Sequence, residues 1–246
     1  MYEIYNEDCL EGMKRIESGS VDAIICDPPF GITNCAFDKR LPFEPMWEQF
    51  KRVTKRNAAI VLFSQMPFGS DLIQSNKKMF RYEWVWRKPM PAGFLNAKKM
   101  PLRCHENILV FYRQLPTYNP QFTQGEPYNK RQKKWTAKNY SKGIYQGGIN
   151  DTGERYPRDE FIFKNGDNAN SLHPTQKPVP LLEYLIRTYT NEGETVLDAT
   201  MGSGSTGVAA INTGRKFIGF ELEKNFYDIA KKRIDEAIAK RAQSLF

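Results

Sequence analysis

An Asp27-Pro28-Pro29-Phe30 tetrapeptide directly follows a short apolar run, and its residue types could carry chemistry. The two prolines fix two φ angles at about −65° and remove two backbone N–H donors, so the loop is stiff and presents only acceptors. A carboxylate and the Pro28 carbonyl, held rigidly side by side, suit a substrate group with two N–H donors. The exocyclic amino group of a nucleic-acid base is such a group.

An exocyclic amino group is a poor nucleophile, because its lone pair is delocalised into the base. Two acceptors on its hydrogens favour a pyramidal nitrogen and stabilise the positive charge that develops during attack on an electrophile. Phe30 could stack on a base rotated out of a duplex. Taken alone, an Asp-Pro-Pro sequence is more typical of a turn capped by Asp27, so the catalytic interpretation depends on a second motif.

That second motif is a glycine turn near the other end of the chain. A predicted strand at Thr195–Asp198 runs into Gly202 and Gly204, and Gly207 completes a G-x-G-x-x-G pattern. Glu221 follows at the end of the next predicted strand. Glycines allow close approach of a nucleotide to the backbone, and a carboxylate at the next strand end can bind ribose hydroxyls. The alternative is a tight strand–helix turn whose glycines serve packing.

The position of the glycine turn predicts a permuted order of the two halves. Too few residues follow Glu221 to complete a nucleotide-binding sheet, so the strands Val21–Cys26 and Ala58–Phe63 must complete it. Since ligands of open α/β sheets bind beyond the carboxyl ends of strands, Asp27, Asp198 and Glu221 should face one crevice.

Alternating strands and helices are predicted to position these motifs. Helices are expected after Asp8, around residues 47–53, after Pro67, at 179–189, after the glycine turn and at 224–240. Strands are expected at 2–5, 21–26, 58–63, 82–86, 107–112, 195–198 and 216–220. Residues 113–160 show little periodicity, which is typical of a functional segment. We predict a catalytic half at 1–87, a target-recognition insertion at 88–165 and a cofactor-binding half at 166–246.

Charge and composition limit the classes of partner that the chain is expected to bind. The net charge is +8, and residues 81–142 alone carry 13 Lys or Arg against 3 acidic residues. This asymmetry favours contact with a polyanion, although a solvated basic surface explains the charge equally well. Trp84 and Trp86 are expected in the core.

Cysteine spacing and hydropathy indicate the compartment. The cysteines are scattered, so neither a disulfide framework nor a metal site is expected, which suits a reducing cytoplasm. No apolar run reaches the roughly 18 residues of a membrane span, and no signal peptide is expected at the start of the sequence.

Together the motifs resemble the beta class of DNA amino-methyltransferases, in which the catalytic tetrapeptide precedes the cofactor glycine motif. The resemblance covers nearly the whole chain outside residues 113–160. It implies an α/β, Rossmann-like S-adenosylmethionine-dependent methyltransferase fold, with a mainly parallel seven-stranded sheet, helices on both faces and permuted motif order. The implied catalytic residues are Asp27, Pro28, Pro29 and Phe30.

The resemblance also implies S-adenosylmethionine as the cofactor. Residues expected to bind it are Asp8, Cys9, Asp27, His173, Thr175, Lys177, Asp198, Met201, Gly202, Gly204, Ser205 and Glu221. In particular, Asp8 would lie near the cofactor adenine, Glu221 at its ribose and Lys177 near its carboxylate. Met201 stands where Phe is usual, and a thioether can still cover the cofactor.

Double-stranded DNA is the implied substrate, with Lys130, Arg131, Lys133 and Lys134 expected to contact phosphates. Asp at the start of the tetrapeptide favours N6 of adenine, because cytosine-N4 members usually have Ser there. A homodimer and a cognate restriction endonuclease are candidate partners, and a nucleoid-associated location in the cytoplasm is expected.

Three other functions stay open at this point. A cytosine-N4 methyltransferase would differ only in the modified base. A nucleic-acid-binding module without catalysis would explain the charge but would need neither Asp27 nor Glu221. A nicotinamide oxidoreductase would explain only the glycines.

Overall fold

The computed structural model describes residues 1–32, 38–129, 149–164 and 176–243. The chain divides into two compact units, one made of Met1–Asn119 with Asp159–Phe246 and the other of Pro120–Arg158. The larger unit contains both motifs. The boundaries expected at residues 87 and 165 stay a prediction.

One large sheet forms the centre of the larger unit, in the order β1-β12-β11-β2-β3-β5-β4-β10. Strand pairs are parallel except for those of β5, which runs antiparallel to β3 and β4. The strands are β1 Tyr2–Tyr5, β2 Val21–Cys26, β3 Thr54–Ser64, β4 Phe80–Ala92, β5 Arg103–Phe111, β10 Glu160–Ile162, β11 Thr195–Asp198 and β12 Lys216–Phe220. The mainly parallel α/β class is confirmed. The sheet has eight strands instead of seven, because Glu160–Ile162 pairs with β4 at the edge.

Helices cover both faces, as predicted. They are α1 Cys9–Met13, α2 Phe43–Val53, α3 Phe68–Ser75, α4 Val179–Tyr189, α5 Ser205–Asn212 and α6 Lys224–Gln243. Buried residues of α4, α5 and α6 pack on one face of the sheet. Those of α1, α2 and α3 pack on the other. Strand β2 supplies both layers, with Ile25 facing the first and Ile24 the second, as expected of a strand buried on both faces.

The permuted order is confirmed by the pairing of β11 with β2. Val196 lies opposite Ala23 and Leu197 opposite Ile24 in a parallel register. The carboxyl ends of β2, β11 and β12 therefore lie at one edge of the sheet. This arrangement brings the tetrapeptide and the glycine turn to the same crevice.

The β4–β5 hairpin is longer than the sequence predicted. Trp84 and Trp86 are buried, as expected. Both strands extend beyond the apolar positions on which the prediction rested. The additional residues, such as Glu106, are polar and show no alternating pattern, yet they pair across the hairpin. No helix among the described residues has the length and hydropathy needed to cross a membrane.

The smaller unit contains two short antiparallel strand pairs. Strand β6 (Thr123–Gln124) pairs with β9 (Glu154–Arg155), and β7 (Tyr128–Asn129) pairs with β8 (Ile149–Asn150). Lys130, Arg131, Lys133 and Lys134 lie outside the described residues, so their contacts with DNA stay a prediction.

Candidate active site

The three glycines of the G-x-G-x-x-G pattern have two roles. Gly202 has a φ of 52°, and its N–H donates to Glu221 Oε2 at 2.9 Å. A Cβ on Gly204 would lie 2.9 Å from the Ala230 backbone, and a Cβ on Gly207 would lie 2.5 Å from Ile234. Gly204 and Gly207 therefore allow close packing against α6, and Gly202 forms the turn that faces the crevice.

Two carboxylates beside this turn accept hydrogen bonds from their own neighbourhood. Asp198 Oδ1 accepts from the Thr200 N–H at 3.1 Å, and Oδ2 accepts from the Thr206 hydroxyl at 2.6 Å. Burial raises the pKa of Asp198 to about 6. Glu221 Oε1 accepts from the Glu223 N–H at 2.8 Å, and burial raises the pKa of Glu221 as well. Both side chains are thus held in place by hydrogen bonds from residues that follow their strands.

The first helix contributes the other wall. Asp8 is its N-cap, as predicted, since Oδ1 accepts from the N–H groups of Leu10 at 2.8 Å and Glu11 at 3.2 Å. Cys9 is buried behind it, and burial raises the pKa of the Cys9 thiol to about 12. A neutral thiol at this position provides an apolar wall.

A cavity of about 830 Å³ opens at the carboxyl edge of the sheet. The predicted site residues that line it are Asp8, Cys9, Asp27, Pro28, Pro29, Phe30, Lys177, Asp198, Met201, Gly202, Ser205 and Glu221. His173 and Thr175 lie outside the described residues. One cavity therefore joins residues from both ends of the sequence, as the permuted order requires.

Direct hydrogen bonds connect the two motifs. The Thr200 hydroxyl, in the glycine turn, donates to the Asp27 backbone carbonyl at 3.0 Å. Cys26 Sγ lies 3.1 Å from Thr200 Oγ1. Because the only hydroxyl proton of Thr200 is used on Asp27, the Cys26 thiol is the donor in this second contact. The tetrapeptide is thus held against the glycine turn across 173 positions of sequence.

A cluster of four charged side chains lies at the end of the cavity that contains the tetrapeptide, which is predicted to be the catalytic end. Lys177 Nζ lies 2.6 Å from Asp27 Oδ2 and 3.5 Å from Glu106 Oε2. Lys88 pairs with the other oxygen of Glu106. Two lysines and two carboxylates thus alternate as Lys88–Glu106–Lys177–Asp27. We call these four residues the lysine–carboxylate cluster.

The two oxygens of Asp27 differ in their surroundings. Oδ2 accepts from Lys177, whereas Oδ1 is buried and has no hydrogen-bond partner among the described residues. Burial raises the pKa of Asp27 above its ordinary value, although the Lys177 ammonium opposes that shift. Burial also acts against the charge of Lys177, but Asp27 and Glu106 raise its pKa overall. A buried carboxylate oxygen that lacks a donor is suited to accept a hydrogen bond from an N–H group.

Phe30 is held from one side. Its ring stacks on Phe68 with 5.0 Å between centroids and 26° between planes. Its carbonyl accepts from Arg40 Nε at 2.6 Å, and Arg40 also pairs with Asp71 at 2.9 Å. Lys177 Nζ also lies over the Phe30 ring, 5.9 Å from its centroid, and Phe30 lines the cavity.

The sequence did not single out Lys88 or assign a role to Glu106, and it expected Lys177 at the cofactor. The structure pairs Lys177 with Asp27 instead, and a cofactor contact of Lys177 stays a prediction. Only the hairpin register, with Trp86 opposite Glu106, reveals that Glu106 points to the catalytic end.

Comparisons with known proteins agree with this geometry. The sequence profile of an N6/N4 family described as DNA methylase matches residues 21–232. The chain is 28% identical to the type II methyltransferase M.HpaI of Haemophilus parainfluenzae over 93% of its own length and 72% of that protein. It is also 28% identical to the DNA adenine methyltransferase YhdJ of Escherichia coli (strain K12), over 98% of this chain and 85% of the relative.

A solved structure shares the fold over nearly the full length. The crystal structure of the M1.HpyAVI–SAM complex superposes with a TM-score of 0.66 at 27% identity. The match covers 95% of this chain and 100% of that one.

Proposed function

The chain belongs to the family of N6/N4 DNA methylases, and on that premise we propose that it methylates N6 of adenine in double-stranded DNA. The observation that carries the proposal is Asp27, one oxygen of which is fixed by Lys177 while the other is buried without a donor. This carboxylate lies in the same cavity as Glu221 and the glycine turn.

The methyl donor is S-adenosylmethionine, which supplies an electrophilic methyl group on a sulfonium. The fit of the cavity to this cofactor rests on its size and its carboxylates. Each oxygen of Glu221 accepts one backbone N–H and retains capacity for a ribose hydroxyl. Asp8 uses Oδ1 for the helix cap, and its side chain lines the cavity on the side expected for the cofactor adenine. Met201 and Gly202 line the surface between these groups.

Asp27 acts on the amino group of the target base. Its Oδ1 and the Pro28 carbonyl accept the two amino hydrogens, and the lone pair then points to the cofactor methyl. The bound cofactor would supply the methyl group and leave as the neutral thioether, and the amino nitrogen would gain positive charge until one of its protons passes along its hydrogen bond to Asp27. A buried carboxylate stabilises that charge, because few solvent dipoles compete with it.

Lys177 is proposed as a positioning residue for Asp27. Its contact with Oδ2 leaves Oδ1 without a donor, and its charge opposes protonation of the buried carboxyl. Glu106, itself paired with Lys88, holds Lys177 in turn, so Lys177 keeps its position without a contact from the substrate. Phe30, supported by Phe68, stacks on the rotated base.

Adenine is favoured over cytosine because the tetrapeptide begins with Asp and because one relative is named as an adenine methyltransferase. The test is mass spectrometry of nucleosides from DNA treated with the purified protein and S-adenosylmethionine, with the Asp27→Asn variant as control. N6-methyladenine is expected. N4-methylcytosine would assign the chain to the cytosine branch, and the absence of both would contradict the function.

The remaining partners stay predictions. Phosphate contacts of the basic segment at residues 130–134, a homodimer, a cognate restriction endonuclease and a nucleoid location are compatible with this function. The reaction described above needs only the duplex and the cofactor.

A further inference from the structure

The connection between β4 and β5, residues 93–102, exposes large apolar side chains. Phe94 is 80% exposed and Leu95 is 97% exposed. We call residues 93–102 the hairpin tip. Apolar side chains of this size, adjacent on a protruding turn, commonly mark a binding surface.

The backbone of the hairpin tip is ordered by its own hydrogen bonds. Gly93 has a φ of 89°, a conformation that favours glycine. The Asn96 N–H donates to the Gly93 carbonyl at 2.9 Å, and the Lys99 N–H donates to the Asn96 carbonyl at 2.8 Å. Phe94 and Leu95 are therefore presented by a folded turn, which lowers the entropy that binding would cost.

The hairpin tip lies at the same edge of the sheet as the cavity. Strand β3 ends at Ser64, which pairs with Asn107, and Asn107 pairs with Val85. Of the two strands, β5 extends the shorter distance beyond this point, roughly 13 Å. Lys88 and Arg103, one from each strand of the extension, line the cavity. The tip is therefore carried by strand residues that line the cavity, and we expect a duplex that delivers a base to the cavity to contact it.

The charge around the hairpin tip matches nucleic acid. From Lys88 to His105 the sequence contains four Lys or Arg residues and no Asp or Glu. Lys98, Lys99 and Arg103 are all exposed. Apolar side chains flanked by cations alone suit a partner with phosphates outside and stacked bases inside.

We propose that Phe94 and Leu95 enter the base stack of DNA and occupy the gap left when the target base rotates into the cavity. Apolar wedges of this kind separate base steps at a cost that the new contacts offset. The inference rests on the proposed DNA substrate and is independent of whether adenine or cytosine is methylated.

The test compares two synthetic duplexes that carry the sequence identified by sequencing DNA methylated in cells expressing the protein. In one the target base is paired, and in the other it lies opposite an abasic site, which makes rotation easy. The Phe94→Ser/Leu95→Ser variant is expected to methylate the paired duplex about 30-fold more slowly than wild type in single turnover. On the abasic duplex its rate should be within about threefold of wild type.

Matched variants separate a wedge from a structural role. Phe94→Leu/Leu95→Met keeps apolar bulk and should retain the wild-type rate on both duplexes. Leu115→Ser removes a side chain that is 77% exposed near the start of β3, at the opposite edge of the sheet, and should have no effect. Cofactor binding measured by calorimetry should be the same for all variants.

Three outcomes would overturn the wedge. An equal loss on both duplexes would assign the tip to general DNA binding or to the fold. Unchanged rates would show that it has no role in rotation. Unchanged rates with loss of a dimer in light scattering would identify an interface between copies. If wild type methylates neither base, the proposed function fails as well, whereas active wild type with unaffected variants removes only the wedge.

Discussion

The two ends of the cavity are built in different ways. At the end expected to bind the cofactor, Asp198 and Asp8 accept hydrogen bonds from residues two to eight positions away, and Glu221 accepts from Glu223 and, 19 positions away, from Gly202. At the catalytic end, Asp27 is held by Lys177 across 150 positions. Mostly short-range contacts hold the proposed cofactor cradle, whereas the long-range contact leaves one carboxylate oxygen of Asp27 without a donor.

This difference predicts a division of roles. Carboxylates whose oxygens already accept backbone N–H groups contribute to binding and to loop geometry. A carboxylate that lacks a donor stabilises charge that appears only during the reaction, and such groups affect the rate more than the affinity. Variants at the two ends should therefore separate cofactor affinity from turnover.

The largest expected effect is at Asp27. Asp27→Asn keeps the shape of the side chain but removes its charge, so kcat should decrease about 1000-fold. The affinity for S-adenosylmethionine should change by less than about threefold, because the amide does not alter the cradle. Single-turnover transfer of a labelled methyl group and calorimetry measure the two quantities.

Glu221→Gln is the matched control, since it makes the same chemical change at the other end. It should raise the Kd for S-adenosylmethionine about tenfold and leave kcat at saturating cofactor near the wild-type value. If Asp27→Asn weakened the cofactor while retaining turnover, the division between the two ends would be wrong.

The sequence predicted that Asp8, Asp198 and Glu221 face one crevice because most of their hydrogen bonds are local, and their contacts with the cofactor stay a prediction. Asp8, Asp198 and Glu221 each lie beside the strand or turn that they organise, and the spacing of residues in one segment identifies them. The lysine–carboxylate cluster combines residues from four separate stretches of sequence, and neither Lys88 nor Glu106 carries a pattern that links it to Asp27. The hairpin register and the position of Lys177 in space establish that link, and both are properties of tertiary structure.

A smaller effect is expected when another residue of the lysine–carboxylate cluster is substituted and Asp27 is kept. Lys177→Met removes the ammonium that positions Oδ2, and misplacement of this kind should reduce the rate about 100-fold near neutral pH. Asp27 acts as a carboxylate, so activity is lost as the pH falls through its pKa. Without Lys177, burial raises that pKa further, and the acidic limb of the pH–rate profile should move to higher pH.

Glu106→Gln should move the same limb in the opposite direction. Glu106 raises the pKa of Asp27 by repulsion between like charges, so its neutralisation should move the limb to lower pH. Lys14→Met, which removes an exposed charge paired with Glu11, should leave the limb unchanged. Shifts of the same sign in the Lys177 and Glu106 variants would indicate a structural effect and exclude the electrostatic one.

The smallest expected effect concerns Asp198, at the cofactor end, and appears in stability. Its pKa is about 6 in the folded chain, because burial opposes its charge, and about 3.9 in the unfolded chain. The folded state therefore binds more protons between these values, and a proton bound on folding stabilises the fold as the pH falls. The stability of wild type relative to Asp198→Asn should increase by about 1 kcal/mol from about pH 7 to about pH 5.

Urea unfolding of both proteins at the two pH values, without cofactor, measures this change, since the subtraction removes groups that titrate alike in both. Asn can still accept from the Thr200 N–H through its carbonyl oxygen, so the loop should fold in the variant. A difference that is constant with pH would show that solvent reaches Asp198. The cofactor end would then be less rigid than its local hydrogen bonds indicate, and the contrast with the catalytic end would be weaker.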